Sequence, residues 1–274
     1  MSWRIVVVTR IPQVLMGFAA VAESLGHRVV ALLTHGPEQL DALLAAVPVG
    51  ADVLMPATRA SLTPLLRAVE PDLVLCMGFP WKIPAEALAV PPLGWLNGHP
   101  SLLPRHRGPV PLSWVLRSGD AETGVTFHFM DAELDTGPIV VQRSMPVGEF
   151  VEPDEFYGRM GELIGPMLYE ALEKIAAGER GEPQPEGGEY ETFFTADDVW
   201  LDLSRPAEEV HRLVWAWRYT VPRGTERGAL LELDGEPVRV LRTSLAEVDG
   251  ARRVECGDGP LWIVTTEPVA PPSG

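Results

Sequence analysis

The chain has 274 residues, 46% of them hydrophobic and 22% charged, with a net charge of −16 and a pI near 4.8. That composition describes a globular protein able to bury a large core as one large domain or two modest ones, and no apolar run approaches the ~20 residues of a membrane span. Acidic side chains outnumber basic ones throughout, 21 to 13 over residues 1–182 and 17 to 9 over 183–274, so a polyanion is not attracted and nucleic acid is not expected as a partner. Two cysteines, Cys76 and Cys256, supply neither a disulfide framework nor a metal cage, and Cys76 sits in an apolar run as a small hydrophobe would. The start, Met1 to Val8, runs directly into a strand pattern, so no signal peptide is read and a reducing cytoplasm is expected.

From the N-terminus, strand and helix patterns alternate. Arg4 to Thr9 is a β-branched run suited to a buried parallel strand, and Val14 to Leu25 carries helical apolar spacing closed by Gly26. His27 to Thr34 reads as a strand, Gln39 to Ala46 as a helix and Asp52 to Met55 as a short strand. Ser61 to Val69 reads as a helix capped by Ser61, and Asp72 to Cys76 as a third buried strand. This alternation predicts an α/β fold with a Rossmann-like, doubly wound, mostly parallel sheet, in which ligands gather beyond the carboxyl ends of the strands. The turn after the first strand, Thr9-Arg10-Ile11-Pro12-Gln13, has no Gly-x-Gly-x-x-Gly, so a dinucleotide is not indicated.

The stretch Leu96 to Gly108 reads Leu-Asn-Gly-His-Pro-Ser-Leu-Leu-Pro-Arg-His-Arg-Gly. Asn97 and His99 are two positions apart in an extended run, so their side chains point the same way. An amide and an imidazole facing one small volume, joined by a carboxylate such as Asp135 from a later loop, suit acyl transfer: donors hold an oxyanion while the carboxylate orients the imidazole or takes a proton. Each residue also has a plain structural reading, His as a satisfied core residue and Asn as turn chemistry. Downstream come Thr123-Gly124-Val125-Thr126-Phe127-His128-Phe129-Met130-Asp131 and Leu134-Asp135-Thr136-Gly137.

Together these stretches, Asn-x-His-x-Ser-Leu-Leu-Pro followed by Thr-Gly-Val-Thr and Asp-x-Gly, resemble the signature of the 10-formyltetrahydrofolate-dependent formyltransferases. The resemblance implies catalytic roles for Asn97, His99 and Asp135, with Asn97 and His99 on the oxyanion and Asp135 orienting His99 and relaying the proton. It implies a folate pocket flanked by Phe79, Trp81 and Ile83, with Leu102, Leu103, His128, Met130 and Asp131 on the cofactor side. It names 10-formyltetrahydrofolate as co-substrate, without a metal; the basic run Arg105, His106 and Arg107 after the signature is suited to receive the pyrophosphate of a nucleotide-linked acceptor.

After the signature, Val110 to Leu116 reads as a helix, Gly124 to Met130 as a strand, and Ile139 to Val141 and Ser144 to Val147 as two edge strands. Phe156 to Ala177 is a long amphipathic helix with Pro166 inside it, read as core. The expected division is a catalytic domain over 1–180, a linker over 181–193 and a small C-terminal helix-plus-β domain over 194–274. In that last part a helix begins near Ser204 with Ser or Asp as its cap, followed by strands at Ala229 to Leu233, Glu236 to Leu241 and Leu261 to Val264. This tail resembles the oligonucleotide-binding-fold-like (OB-like) C-terminal domain of some family members.

The function implied is transfer of a formyl group to the primary amine of a small acceptor: a nucleotide-linked amino sugar, an amino acid or a secondary-metabolite precursor. Methionyl-tRNA is the alternative acceptor. Against it stand the acidic charge, Thr9-Arg10-Ile11-Pro12 in place of that enzyme's usual opening, and the short connection Gly36-Pro37-Glu38-Gln39 where a basic insertion would lie. Two further alternatives are hydrolysis of the formyl donor and a folate-binding module without catalysis; a homodimer is left open.

Overall fold

The computed structural model describes residues 2–36, 39–148, 152–220 and 228–269, so Pro37 and Glu38 of the short connection lie outside the described residues. The chain forms two compact units. One comprises residues 1–107, 124–145 and 156–190, the other 108–123, 146–155 and 191–274.

The first unit is built on a sheet of seven strands: β1 (Arg4–Thr9), β2 (Arg28–Leu33), β3 (Asp52–Leu54), β4 (Leu73–Met77), β5 (Trp95–His99), β6 (Glu122–Phe129) and β7 (Ile139–Pro146). Their order is β3-β2-β1-β4-β5-β6-β7. The first five run parallel, and β6 is antiparallel to β5. The helices along the chain are α1 (Pro12–Ser24), α2 (Leu40–Ala45), α3 (Leu62–Val69), α4 (Ala85–Leu88), α5 (Pro111–Ser118), α6 (Pro153–Ala176) and α7 (Ala207–Arg218). Burial explains the uninterrupted apolar runs of the central strands: all five residues of β4 and five of the six in β1 are buried, as expected where both faces of a parallel sheet are covered. One core cluster joins Val6, Val8, Val74, Cys76 and Ile83 to Trp95, whose indole nitrogen donates to the Ala87 carbonyl at 3.1 Å. Chain order reverses on either side of β1 and β4, which creates a crevice at the carboxyl ends of the strands.

Two local expectations are corrected. The two edge strands are one, β7, because the exposed Gln142, Arg143 and Ser144 interrupt the apolar pattern without interrupting the strand. Ser61 precedes α3 but does not cap it; its hydroxyl pairs with Thr58 Oγ1 at 3.2 Å. α6 continues through Pro166.

The second unit carries a four-stranded antiparallel sheet, β8 (Leu230–Leu233), β9 (Glu236–Ser244), β10 (Arg252–Cys256) and β11 (Gly259–Pro268), in the order β10-β11-β9-β8. α7 packs Val210 and Val214 against Leu231, Val240, Leu261 and Ile263. Its cap is also a correction: Asp258, between β10 and β11, accepts from the Ala207 amide at 2.7 Å. Ser204 instead bonds the Asp202 carboxylate through its amide and its hydroxyl, at 2.9 and 2.6 Å. No helix among the described residues is long and apolar enough to cross a membrane.

Candidate active site

The site lies wholly in the first unit, at the carboxyl end of β5. Antiparallel pairing sets Asn97 opposite His128 and His99 opposite Thr126, so four polar side chains share one face of two neighbouring strands. His128 is 1% exposed and His99 4%. The amide of Asn97 donates to His128 Nε2 at 3.1 Å, while His128 Nδ1 donates to the Phe129 carbonyl at 2.9 Å. These partners select the neutral Nδ1–H tautomer. Burial pushes the His128 pKa down to about 4, with the Asp135 charge opposing and His99 adding to the shift, so the ring is uncharged near neutrality.

His99 is held the other way round. Its Nε2 donates to the carbonyl of His106 at 2.9 Å, which leaves Nδ1 as the open nitrogen of the ring. Two buried hydroxyls, with the amide of Gln142 reaching in from β7, fix the turn that supplies this carbonyl. Ser101 Oγ donates to the Arg105 carbonyl at 2.8 Å, Thr126 Oγ1 to the Ser101 carbonyl at 2.7 Å, and Gln142 Nε2 to both Thr126 Oγ1 (2.8 Å) and the Leu103 carbonyl (2.9 Å).

Asp135 arrives on the loop between β6 and β7 and places Oδ1 3.7 Å from His99 Nδ1 and 3.8 Å from His128 Nε2. Both separations exceed a hydrogen bond, so the carboxylate acts on the two rings as a charge. Asp135 itself has φ of 58°. Its carbonyl accepts from Arg107 Nε at 3.1 Å and from Gln184 Nε2 at 2.9 Å. Asp131 begins the loop as a turn, its carboxylate accepting from the Glu133 amide (3.1 Å) and the Thr136 hydroxyl (2.7 Å). Cys76, opposite Asn97 on β4, is an inert thiol pushed up to about 12 by burial and then by the Asp135 charge.

The remaining predicted residues divide. Phe79, Trp81 and Met130 pack together with Ile83 on one hydrophobic cluster, and Ile83 also lines an open cleft of about 240 Å³ with Arg59, Lys82, Pro84, Ala85 and Ala132. Leu103 is 2% exposed and packs in the core, while Leu102 is half-buried. Arg105 is exposed. Arg107, expected at an acceptor anion, directs its guanidinium to the Asp135 carbonyl, the Gly188 carbonyl (3.1 Å) and Gln184 Oε1 (2.7 Å). Sequence reasoning missed Thr126, Gln142 and Gln184, and it read His106 for its side chain, whereas its carbonyl is what holds His99. Thr126 was within reach of it, because it lies in the Thr-Gly-Val-Thr motif two positions from His128 and so on the same strand face. No group of three or more His, Cys, Asp or Glu side chains suited to a metal ion occurs among the described residues.

The doubly wound sheet gathers Asn97, His99 and Asp135 at the carboxyl end of β5, an arrangement able to hold an oxyanion and move a proton, and residues 55–172 match the formyl transferase family. The chain belongs to that family. Methionyl-tRNA formyltransferase of Pelobacter propionicus is 35% identical over 215 residues, covering 72% of this chain and 64% of the relative. That of Roseiflexus sp. is 33% identical over 239 residues, covering 82% and 72%. The chain thus spans about two thirds of the length of these relatives. Among solved structures, HypX from Aquifex aeolicus in complex with tetrahydrofolic acid superposes with a TM-score of 0.67 at 20% identity, over 97% of this chain and 44% of that one, a likeness of fold.

Proposed function

We propose that the protein transfers a formyl group from 10-formyltetrahydrofolate to a primary amine. The observation that carries the reading is the carboxylate of Asp135 standing between two buried imidazoles, with the Asn97 amide fixed beside them. The apolar walls at Phe79, Trp81 and Ile83 suit a flat heteroaromatic ring, and Arg59 and Lys82 at the adjoining cleft suit the carboxylates of a folate tail. When bound, that co-substrate supplies a formyl carbon activated on nitrogen.

The residues of the chain then divide the work. Asn97 gives one amide hydrogen to His128 and keeps the second for the formyl oxygen as charge gathers there. The attacking amine must shed a proton as its bond to carbon forms, and His99 Nδ1 is the open base. Asp135 stabilises the resulting imidazolium across 3.7 Å, and the same proton is available to the departing nitrogen. The sequence reading put a His99 donor on the oxyanion; with Nε2 committed to a carbonyl, its better use is as the base.

Two acceptors have support. The named activity of the relatives favours methionyl-tRNA. The net charge of −16 favours a small amine such as an amino sugar on a nucleotide. The test is tetrahydrofolate release with both acceptors and formate release with neither. Product on one acceptor names it, formate alone indicates a hydrolase, and folate binding without formyl loss indicates a binding module. Asn97→Ala, His99→Ala and Asp135→Asn are each expected to lower turnover ~10²- to 10⁴-fold, and comparable turnover in Asp135→Asn overturns the assignment.

A further inference from the structure

We infer that Gln184 is a positioning residue: with Arg107 it forms a clamp that sets where the carboxylate of Asp135 stands. This rests on the reading of Asp135 as part of a formyl-transfer site. The loop from 131 to 137 has no strand or helix of its own, and Asp135 takes the left-handed backbone, with φ of 58°, which few side-chain-bearing residues adopt and Asp adopts more readily than most. Gln184 Nε2 donates to the carbonyls of Asp135 and Gly137, both at 2.9 Å, so one amide group straddles the bend. Gln184 Oε1 accepts from Arg107 at 2.7 Å, and the same guanidinium reaches the Asp135 carbonyl at 3.1 Å and the Gly188 carbonyl at 3.1 Å. Two side chains, Gln184 and Arg107, thus bond each other and close a ring on the Asp135 carbonyl.

The segment bearing Gln184 is itself anchored on both sides. Glu182 and Ile139 exchange two backbone hydrogen bonds of 2.8 Å, and Tyr190 bridges to Arg107. A side chain that donates twice from one atom and accepts on another is an amide, so glutamic acid at position 184 loses both donors while keeping the acceptor, and methionine loses all three bonds at similar volume. Around Asp135 the titratable groups are His99 from β5, His128 from β6, Cys76 from β4 and Asp131 from its own loop.

The experiment uses the full chain carrying Gln184→Met, with turnover, KM for the formyl donor, and the ring-nitrogen titration of His99 followed by 15N NMR. The expected result is a ~10- to 100-fold fall in kcat, KM for the donor within ~3-fold of wild type because the aromatic walls are untouched, and a displaced His99 titration. Wild-type kcat with an unmoved titration overturns the clamp. So does a fall in kcat with an unmoved titration, which assigns Gln184 to general stability. The NMR readout does not depend on activity: a displaced titration in a protein that formylates no amine upholds the clamp and sinks only the catalytic reading. Should Gln184→Met fail to fold, Gln184→Glu with the same readouts decides.

Discussion

At Gly137 the 131–137 loop lies against the end of β6, and adding a single methyl group there tests the proposed geometry. A Cβ on Gly137 falls 1.9 Å from the Phe129 carbonyl oxygen and 2.9 Å from its carbon. Carbon and carbonyl oxygen settle at about 3.3 Å or more, so Gly137→Ala must displace the loop or the strand end by roughly 1.4 Å. The Asp135 carboxylate lies two residues upstream, 3.7 Å from His99 Nδ1. Carried outward by that amount, the pair separates to about 5 Å, and at an effective dielectric of about 20 its attraction weakens by about 1 kcal/mol. Misalignment of the proton path adds to this, since a displacement near 1 Å is worth about 100-fold in rate. Turnover is therefore expected to fall ~10- to 100-fold, with a stability loss of about 1–3 kcal/mol from the strain, read by steady-state tetrahydrofolate release and urea unfolding. Gly158→Ala is the control: it lies in α6 with nothing within 4 Å of an added Cβ, so activity should hold while stability rises about 0.5–1 kcal/mol. A Gly137→Ala protein with wild-type turnover refutes the claim that the loop's position governs the reaction.

Two predictions concern the second unit. His211 is buried with Nδ1 2.7 Å from Thr243 Oγ1, and burial pushes its pKa down from 6.5 to about 4, with Glu208 opposing and Arg212 adding. The folded ring stays neutral where the unfolded one takes a proton, so its contribution is intact above pH 6.5 and is lost as pH falls toward 4, by up to about 1.4 kcal/mol per pH unit. Urea midpoints between pH 6.5 and 5 should fall more steeply for wild type than for His211→Gln, and parallel curves dismiss the idea. Asp258→Ala removes the acceptor for the first amide of α7 and should cost about 1 kcal/mol, seen as a lower midpoint; an unchanged midpoint shows that water substitutes for the cap.

What the chain discloses in one dimension follows the range of each force. The parallel strands were legible because burial on both faces imposes unbroken apolar runs, and β1 matches its expected span residue for residue. Asn97, His99 and Asp135 were legible as a motif, and strand alternation alone puts the first two on one face. Contacts made by distant polar groups were not. Asp258 caps a helix that begins 51 residues earlier, so a search near Ser204 could not find it. The segment 181–193 has the composition of a linker, yet Gln184 within it bonds to backbone carbonyls 47 and 49 residues away, and carbonyls leave no trace in residue identity. Arg107 was read for its charge, whereas its guanidinium spends that charge on main-chain oxygens.

The two histidines show why residue type alone assigns no role. Each is nearly fully buried and each faces the same carboxylate oxygen, at 3.7 and 3.8 Å. They differ in what the other nitrogen does. His128 gives its proton to the Phe129 carbonyl and receives the Asn97 amide on its lone pair, so both nitrogens are occupied and the ring is a neutral strut that aims Asn97. His99 gives its proton to the His106 carbonyl and turns its lone pair toward Asp135, where a second proton would meet a negative charge. A site with one fixed carboxylate can hold one imidazolium without leaving net buried charge, and the hydrogen bonds select which ring carries it. Under the proposed reaction, the division between aiming and proton transfer thus rests on two backbone carbonyls, those of Phe129 and His106.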